Sequence, residues 1–117
     1  MRITRWFVAV LVASLLTVPI GLAATKAAPV GTLGGTVGPG FTITLAKKPK
    51  KAGQYKLVVS DKSSIHNFRL VGTSAVTSVE GTGTKSFTVT LKAGKTYTYF
   101  CDPHKTSMVG TFTVPKK

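Results

Sequence analysis

Apolar and polar residues alternate with period two through most of the chain beyond its first two dozen residues. The row Tyr55, Leu57 and Val59 is typical, and such a row buries one face of a strand while the other face stays in solvent. Further rows are Phe41/Ile43/Leu45, His66/Phe68/Leu70, Phe87/Val89/Leu91, Tyr97/Tyr99/Cys101 and Phe112/Val114. No stretch carries a sustained helical stripe, so the pattern predicts an all-β fold.

Turn sequences with glycine separate these rows, at residues 38–40, 51–54, 81–83 and 92–95. Glycine suits such turns because it tolerates positive φ at no steric cost. Seven to eight short strands at this spacing predict a Greek-key β-sandwich, in which two sheets pack face to face. We assign this domain to residues 36–117, and we expect residues 24–35 to form a linker or an edge strand.

The N-terminus has the composition of an export signal. Two arginines within the first five residues precede an uncharged, mostly apolar run over residues 6–22, and small residues follow at Ala23 and Ala24. This order predicts a signal peptide over residues 1–23, with cleavage after Ala23 or Ala27. The alternative is an uncleaved membrane anchor, although the run is just short of the roughly 20 residues that a spanning helix needs. Either reading predicts a periplasmic or secreted domain, which does not enter the membrane unless the segment is retained as a tether.

The chain is strongly basic, with a net charge of +13, and loss of Arg2 and Arg5 with a signal peptide leaves +11. This charge favours acidic partners. Nucleic acid is not expected, because the lysines are spread from Lys26 to Lys117 without a recognition-helix pattern. Most lysines are expected on solvated strand faces and loops, with a docking role for a subset.

Cys101 is the only cysteine, so no intramolecular disulfide can form. Exported compartments oxidise free thiols. Burial, an intermolecular bridge or a bound metal could each protect this one. A c-type haem is excluded, because its Cys-x-x-Cys-His motif needs two cysteines.

The residues around Cys101 favour the metal. His104 and Met108 follow it in Cys-Asp-Pro-His-Lys-Thr-Ser-Met, and the only other histidine, His66, lies on the predicted inner face of a separate strand. A thiolate, two imidazoles and a weak thioether are the ligands that copper uses when it cycles between two oxidation states. The sequence therefore predicts a copper site at one end of the sandwich. Met108 could instead pack as an apolar residue.

Two segments carry a resemblance to a known family. Residues 97–114, with the sequence Tyr-Thr-Tyr-Phe-Cys-Asp-Pro-His-Lys-Thr-Ser-Met-Val-Gly-Thr-Phe-Thr-Val, closely resemble the C-terminal copper loop of plastocyanins and pseudoazurins. Ser64-Ile-His-Asn-Phe68 is similar to the segment that holds their first histidine. The likeness covers roughly residues 36–114. One departure is the spacing from His104 to Met108, which is one residue shorter than in plastocyanins and pseudoazurins and one longer than in amicyanins.

The resemblance implies a cupredoxin sandwich with one type 1 copper ion, whose equatorial ligands are His66, Cys101 and His104 and whose axial ligand is Met108. It also implies that the Asn67 amide ties the first-histidine segment to the ligand loop, while the Asn67 backbone N–H donates to the Cys101 sulfur. Asp102 and Pro103 are expected to shape the loop without binding the metal.

The activity that the resemblance implies is single-electron transfer by a monomer. The edge of His104 would be the exit, within a small apolar patch for which Pro103 and Met108 are candidates, and the basic surface would steer an acidic redox partner. An exported protein that buffers or delivers copper without a redox partner is the alternative, because it would use the same ligands. A metal-free interaction module is a further alternative. Catalysis is not expected, since no third group is evident to orient a Cys101–histidine pair.

Overall fold

The structure is a computed structural model that describes Gly21 and residues 28–117. Within this part of the chain seven strands form two sheets, which confirms the predicted β-sandwich. One sheet has the strand order β2-β1-β3-β5, and the other has the order β4-β6-β7. The strands are β1 (Gly31–Val37), β2 (Ile43–Ala46), β3 (Gly53–Asp61), β4 (Arg69–Leu70), β5 (Gly83–Leu91), β6 (Thr96–Phe100) and β7 (Val109–Thr113).

The core lies between the sheets and is built from the predicted apolar rows. Leu57 and Val59 of β3 are fully buried, in one apolar cluster with aromatic residues on the side of the second sheet. Two pairs of aromatic rings stack there, Phe68 on Tyr99 and Tyr97 on Phe112, each with its ring centroids 5.5 Å apart. Each large apolar side chain that becomes fully buried contributes about 1.5–3 kcal/mol to folding. Burial of these alternating apolar side chains is therefore the main source of the stability of the fold.

Strand β1 shows that the expectation for residues 24–35 was wrong from Gly31 onward. These residues form neither a linker nor an edge strand, because β1 pairs antiparallel with β2 and parallel with β3. Glycines conceal the alternation there, so that only Leu33 and Val37 mark the buried face. The glycine at position 35 is required by packing, since a Cβ on Gly35 would lie 2.9 Å from Cε2 of Phe68.

Two further predictions of strand position were wrong. The strand expected around His66, Phe68 and Leu70 shortens to Arg69–Leu70, because His66, Asn67 and Phe68 are buried in succession and do not alternate. Phe41 was placed on an inner strand face, but it precedes β2 and is 62% exposed. Both departures fall at the same end of the sandwich.

The predicted turns are present, with positive φ at Gly38, Gly40, Gly53, Gly83 and Gly94. The predicted signal peptide and its cleavage positions lie outside the described residues except for Gly21. Within the described residues, the structure contains no helix with the length and apolar character needed to cross a membrane.

The parallel pairing of β1 with β3 directs the C-terminal ends of both strands to one end of the sandwich. Val37, the last residue of β1, pairs with Asp61, the last residue of β3. The loops after these two strands therefore begin side by side, and the loop between β6 and β7 joins them there. We call this the ligand end, for the side chains described next.

Candidate metal centre

His66, Cys101 and His104 converge at the ligand end, and their ligand atoms all lie within 4.8 Å of one another. The two Nδ1 atoms are 3.1 Å apart. The Cys101 Sγ lies 3.7 Å from Nδ1 of His66 and 3.6 Å from Nδ1 of His104. His66 and Cys101 are buried, whereas His104 is partly exposed. The structure thus brings together the three residues that the sequence predicted as equatorial ligands.

The loop between β6 and β7 sets the positions of Cys101 and His104. Cys101 directly follows β6, and Asp102–His104 form a single turn of 3₁₀ helix with Pro103 at its start. The backbone N–H of His104 donates to the carbonyl of Cys101 over 3.0 Å. This tight turn returns the imidazole to the side of the thiol, because side chains three residues apart in a 3₁₀ helix point the same way.

The three ligand atoms fit a copper ion. Imidazole nitrogen binds transition metals at about 2.0 Å and thiolate sulfur at about 2.3 Å. The separations of 3.1, 3.6 and 3.7 Å allow one point to lie at these distances from both Nδ1 atoms and from Sγ. Two imidazoles and one thiolate in a trigonal arrangement are the donors of a blue copper site. The geometry and the donor set therefore fit one type 1 copper ion.

The backbone of Met108 is hydrogen-bonded to two of the three predicted equatorial ligands, His104 and Cys101. Its backbone N–H donates to the carbonyl of His104 over 2.8 Å, and its carbonyl accepts from the N–H of Cys101 over 3.0 Å. Its side chain is fully buried. The one-residue change in loop length therefore leaves Met108 buried at the C-terminal end of the loop between β6 and β7.

Asn67 connects the loop that holds His66 to the loop that holds Cys101. Its backbone N–H donates to Cys101 Sγ over 3.4 Å. Its side-chain amide donates to Asp102 Oδ2 over 2.6 Å and to the Thr77 carbonyl over 3.1 Å, while its Oδ1 accepts from the backbone N–H of Asp102 over 2.7 Å. The contacts with Cys101 and Asp102 are the ones that the family resemblance implied for Asn67, whereas the contact with Thr77 was not expected. Hydrogen bonds of this kind orient ligands and tune a metal site.

Asp102 also pairs with Arg69, a contact that the sequence did not predict. Nε of Arg69 lies 2.7 Å from Oδ1 of Asp102, and Nη2 of Arg69 lies 3.1 Å from Oδ2. The hydrogen bond from Arg69 lowers the pKa of Asp102, and the hydrogen bond from Asn67 adds to this effect. Because this pKa is lower in the folded than in the unfolded chain, the ionised carboxylate stabilises the fold at neutral pH, and this contribution is lost as the pH falls through the folded value.

Thr77 supports the loop that holds His66 through hydrogen bonds to the backbone of Phe68. No feature of the sequence indicated this role. Its hydroxyl accepts a hydrogen bond from the backbone N–H of Phe68 over 2.8 Å, and its backbone N–H donates to the Phe68 carbonyl over 2.9 Å. No buried side-chain nitrogen or oxygen lacks a hydrogen-bond partner in the part of the chain that the structure describes. Since an unpaired buried polar group costs about 1–3 kcal/mol, this complete pairing holds the loop in one arrangement.

The surface above the site differs from the expected one. Met108, a predicted member of the apolar patch, is fully buried. Phe41 lies there instead, with its ring edge-on to both imidazoles at centroid distances of 5.0 Å to His66 and 4.9 Å to His104. Ile65 is 60% exposed and directly precedes His66. In the sequence, only the position of Phe41 directly after the Gly38-Pro39-Gly40 turn indicated that this ring could lie outside the sheet and cover the histidines.

Comparison with known proteins agrees with this geometry. The family model of copper binding proteins of the plastocyanin/azurin family matches residues 36–115. The matched region contains His66, Cys101, His104 and Met108 together with Asn67. No curated protein matches the chain.

Proposed function

Because the chain belongs to the plastocyanin/azurin family of copper-binding proteins, we propose that it carries single electrons outside the cytoplasm by means of one blue copper ion. The observation that carries this proposal is the convergence of His66, Cys101 and His104 inside a frame of buried hydrogen bonds. Electron transfer is fast when ligands move little between the two oxidation states. A frame of this kind supplies that property.

The bound copper would supply the reversible exchange of one electron, and the residues of the chain would tune it. Both Nδ1 atoms and the Cys101 sulfur hold their positions through the backbone of the ligand loop and through Asn67. The Asn67 N–H that points at the sulfur stabilises the negative charge of a thiolate. Ligation also explains how a single cysteine escapes oxidation in an exported protein, since the metal holds it deprotonated and occupied.

Met108 is our proposed axial ligand. Its burial and its two backbone hydrogen bonds, to Cys101 and to His104, support this role. A long bond to an axial thioether is usual in blue copper sites. Asp102 and Pro103 shape the same loop and do not bind the metal in this proposal.

Electrons would enter and leave through His104, the one partly exposed member of the ligand triad. Phe41, Ile65 and Pro103 are exposed at this end and would form the apolar contact with a redox partner protein. An acidic partner would be attracted at long range by the net charge of the chain, in a manner that salt weakens. In this proposal the carrier acts as a monomer.

The location outside the cytoplasm is supported by the composition of residues 1–23. A fusion of these residues to a reporter enzyme that is active only after export tests it directly. The proposal predicts reporter activity outside the cytoplasm. Reporter activity confined to the cytoplasm would contradict it.

Electron transfer is distinguished from copper delivery by two measurements on the copper-loaded chain. Rapid mixing with ascorbate and then with ferricyanide should reduce and reoxidise the copper repeatedly without loss of metal. The same protein incubated with a copper-free acceptor protein should retain its copper over many such cycles. Release of copper to the acceptor together with slow or incomplete redox cycling would favour the delivery role and sink the carrier role.

A further inference from the structure

Lysines from separate parts of the sequence gather at the end of the sandwich opposite the ligand end. The turn between β2 and β3, the turn between β5 and β6, and the C-terminus all lie at this opposite end, as the pairing of Gly53 with Leu91 and of Thr96 with Thr113 shows. We call it the lysine end. Its eight lysines are Lys47, Lys48, Lys50, Lys51, Lys92, Lys95, Lys116 and Lys117.

The acidic residues have the opposite distribution. Asp61 ends β3 at the ligand end, Asp102 lies in the ligand loop, and Glu80 lies in the loop that leads to Gly83, which pairs with Asp61. The cations on that side are Lys62, Arg69, Lys85 and Lys105. Four cations against three acids leave a single net positive charge at the ligand end, whereas no acidic side chain of the described residues offsets the eight lysines at the other end.

A cavity of about 400 Å³ opens at the lysine end. Lys47, Lys48, Lys50 and Lys51 line it together with the apolar surfaces of Leu33 and Tyr55. The Tyr55 hydroxyl donates to the carbonyl of Lys51 over 2.7 Å, which fixes the lysine-bearing turn against the strand. A cavity lined by four lysines and by apolar side chains complements a phosphate group that is joined to hydrocarbon.

The N-terminal side of the chain reaches the fold at this same end. Val30 donates its backbone N–H to the carbonyl of Gln54 over 2.7 Å and lines the cavity. In the sequence, Val30 follows the apolar run over residues 6–22. Clustered lysines attract anionic lipid headgroups, and each lysine near such a surface contributes about 1 kcal/mol.

We propose that the lysine end is a docking surface for an anionic phospholipid membrane. It would hold the domain with its ligand end directed away from the bilayer. The nine residues of β3 separate the two ends by about 30 Å at roughly 3.3 Å per residue. A redox protein docked on the lysine end would be too far from the ligand triad for efficient electron transfer, so this surface suits attachment better than electron exchange. The proposal does not depend on copper binding.

The test measures binding of the full chain to vesicles of phosphatidylcholine alone and to vesicles that also contain phosphatidylglycerol. Two variants of equal net charge are compared with the wild type: Lys48→Gln/Lys50→Gln/Lys51→Gln at the lysine end and Lys62→Gln/Lys85→Gln/Lys105→Gln at the ligand end. Each lysine at an anionic surface contributes roughly a fivefold gain, so the first variant should lose on the order of 100-fold in partition onto anionic vesicles. The second variant should lose less than about fivefold, because its lysines face away from the bilayer.

The orientation is read by acetylation of lysines with a soluble reagent, followed by mass spectrometry. On anionic vesicles Lys48, Lys50 and Lys51 should be protected, while Lys62 and Lys105 should react as fast as in the free protein. Equal losses in both variants would show that net charge alone drives binding and would overturn the proposal. Equal binding to both kinds of vesicle would assign attachment to the apolar N-terminal run, and the proposal would fall in that case too. Binding of soluble polyglutamate through these lysines without any preference for anionic vesicles would make the surface a protein-docking site and would also overturn it.

Discussion

The two ends of this sandwich are built by different physical means. At the ligand end, His66, Asn67 and Cys101 are almost completely buried, and their polar groups are paired by hydrogen bonds. At the lysine end the polar groups are long exposed side chains around a cavity. A buried polar group must find its partner in the fold, whereas an exposed ammonium group is satisfied by water. One end is therefore specified residue by residue, and the other is specified mainly by its charge.

The largest expected difference between the two ends is the effect on the copper site when a buried side chain is truncated. Met108→Ala at the ligand end and Leu91→Ala at the lysine end each remove a fully buried side chain and should each lower the free energy of unfolding by about 3 kcal/mol. Only Met108→Ala should also change the visible spectrum and the reduction potential of the copper-loaded protein. Denaturant unfolding of the copper-free chain and spectroscopy of the loaded chain measure the two effects.

Met108→Leu separates the two roles of this residue. It keeps the volume and should cost less than about 1.5 kcal/mol, yet it removes the thioether. If its spectrum and potential equal those of the wild type, Met108 is a packing residue and not a ligand.

The sequence predicted the regular strands better than the loops of the ligand end. The rows in β3, β5, β6 and β7 were predictable because one face of each strand is buried and the other is in water. The first-histidine loop broke this rule, since His66, Asn67 and Phe68 are all buried by contacts that come from distant loops. The ligand set was still found, because the chemistry of a single exported cysteine and the family motifs constrain it without any knowledge of the strand pattern.

Contacts between charged groups could not be predicted from the sequence. Arg69 and Asp102 are 33 residues apart, and nothing in a single sequence marks them as partners. The lysines of the lysine end come from separate parts of the sequence, because the chain returns to this end of the sandwich at every second turn. Only the register of the strands shows that these turns lie together.

A smaller difference is expected in the unfolding free energy that is lost when a hydrogen bond is removed at each end. Asn67→Ala removes the amide that links Asp102 to Thr77 and should cost about 2 kcal/mol of unfolding free energy. Copper affinity should fall by about 10–100-fold, as is typical when a group that orients a ligand is lost. The matched change at the lysine end is Thr113→Ala, which breaks the exposed 2.7 Å contact with Thr96 and should cost less than about 0.5 kcal/mol. Denaturant unfolding measures both costs, and equal values would contradict the division between the two ends.

The smallest difference concerns single surface cations. Arg69→Gln should raise the pKa of Asp102 toward its ordinary value, because it removes the largest cause of the lowering. The stability that Asp102 contributes at neutral pH should then be smaller, and its loss on acidification should be complete at a higher pH, because the folded-state pKa lies closer to the unfolded one. Lys95→Gln, which removes a cation 4.9 Å from the Tyr97 ring centroid, should leave this titration unchanged. NMR titration of the Asp102 carboxyl in the copper-free protein measures the effect, and an unchanged pKa in Arg69→Gln would refute the assigned cause.

The central claim is that the ligand end holds one blue copper ion through Cys101. Copper(II) added stepwise to the copper-free chain should produce an intense thiolate-to-copper absorption at the red end of the visible spectrum, which saturates at one ion per chain. Cys101→Ser should abolish this band while the fold is retained by far-ultraviolet circular dichroism. A wild-type chain that stays colourless and takes up no stoichiometric copper would contradict the claim, as would a band of full intensity in Cys101→Ser.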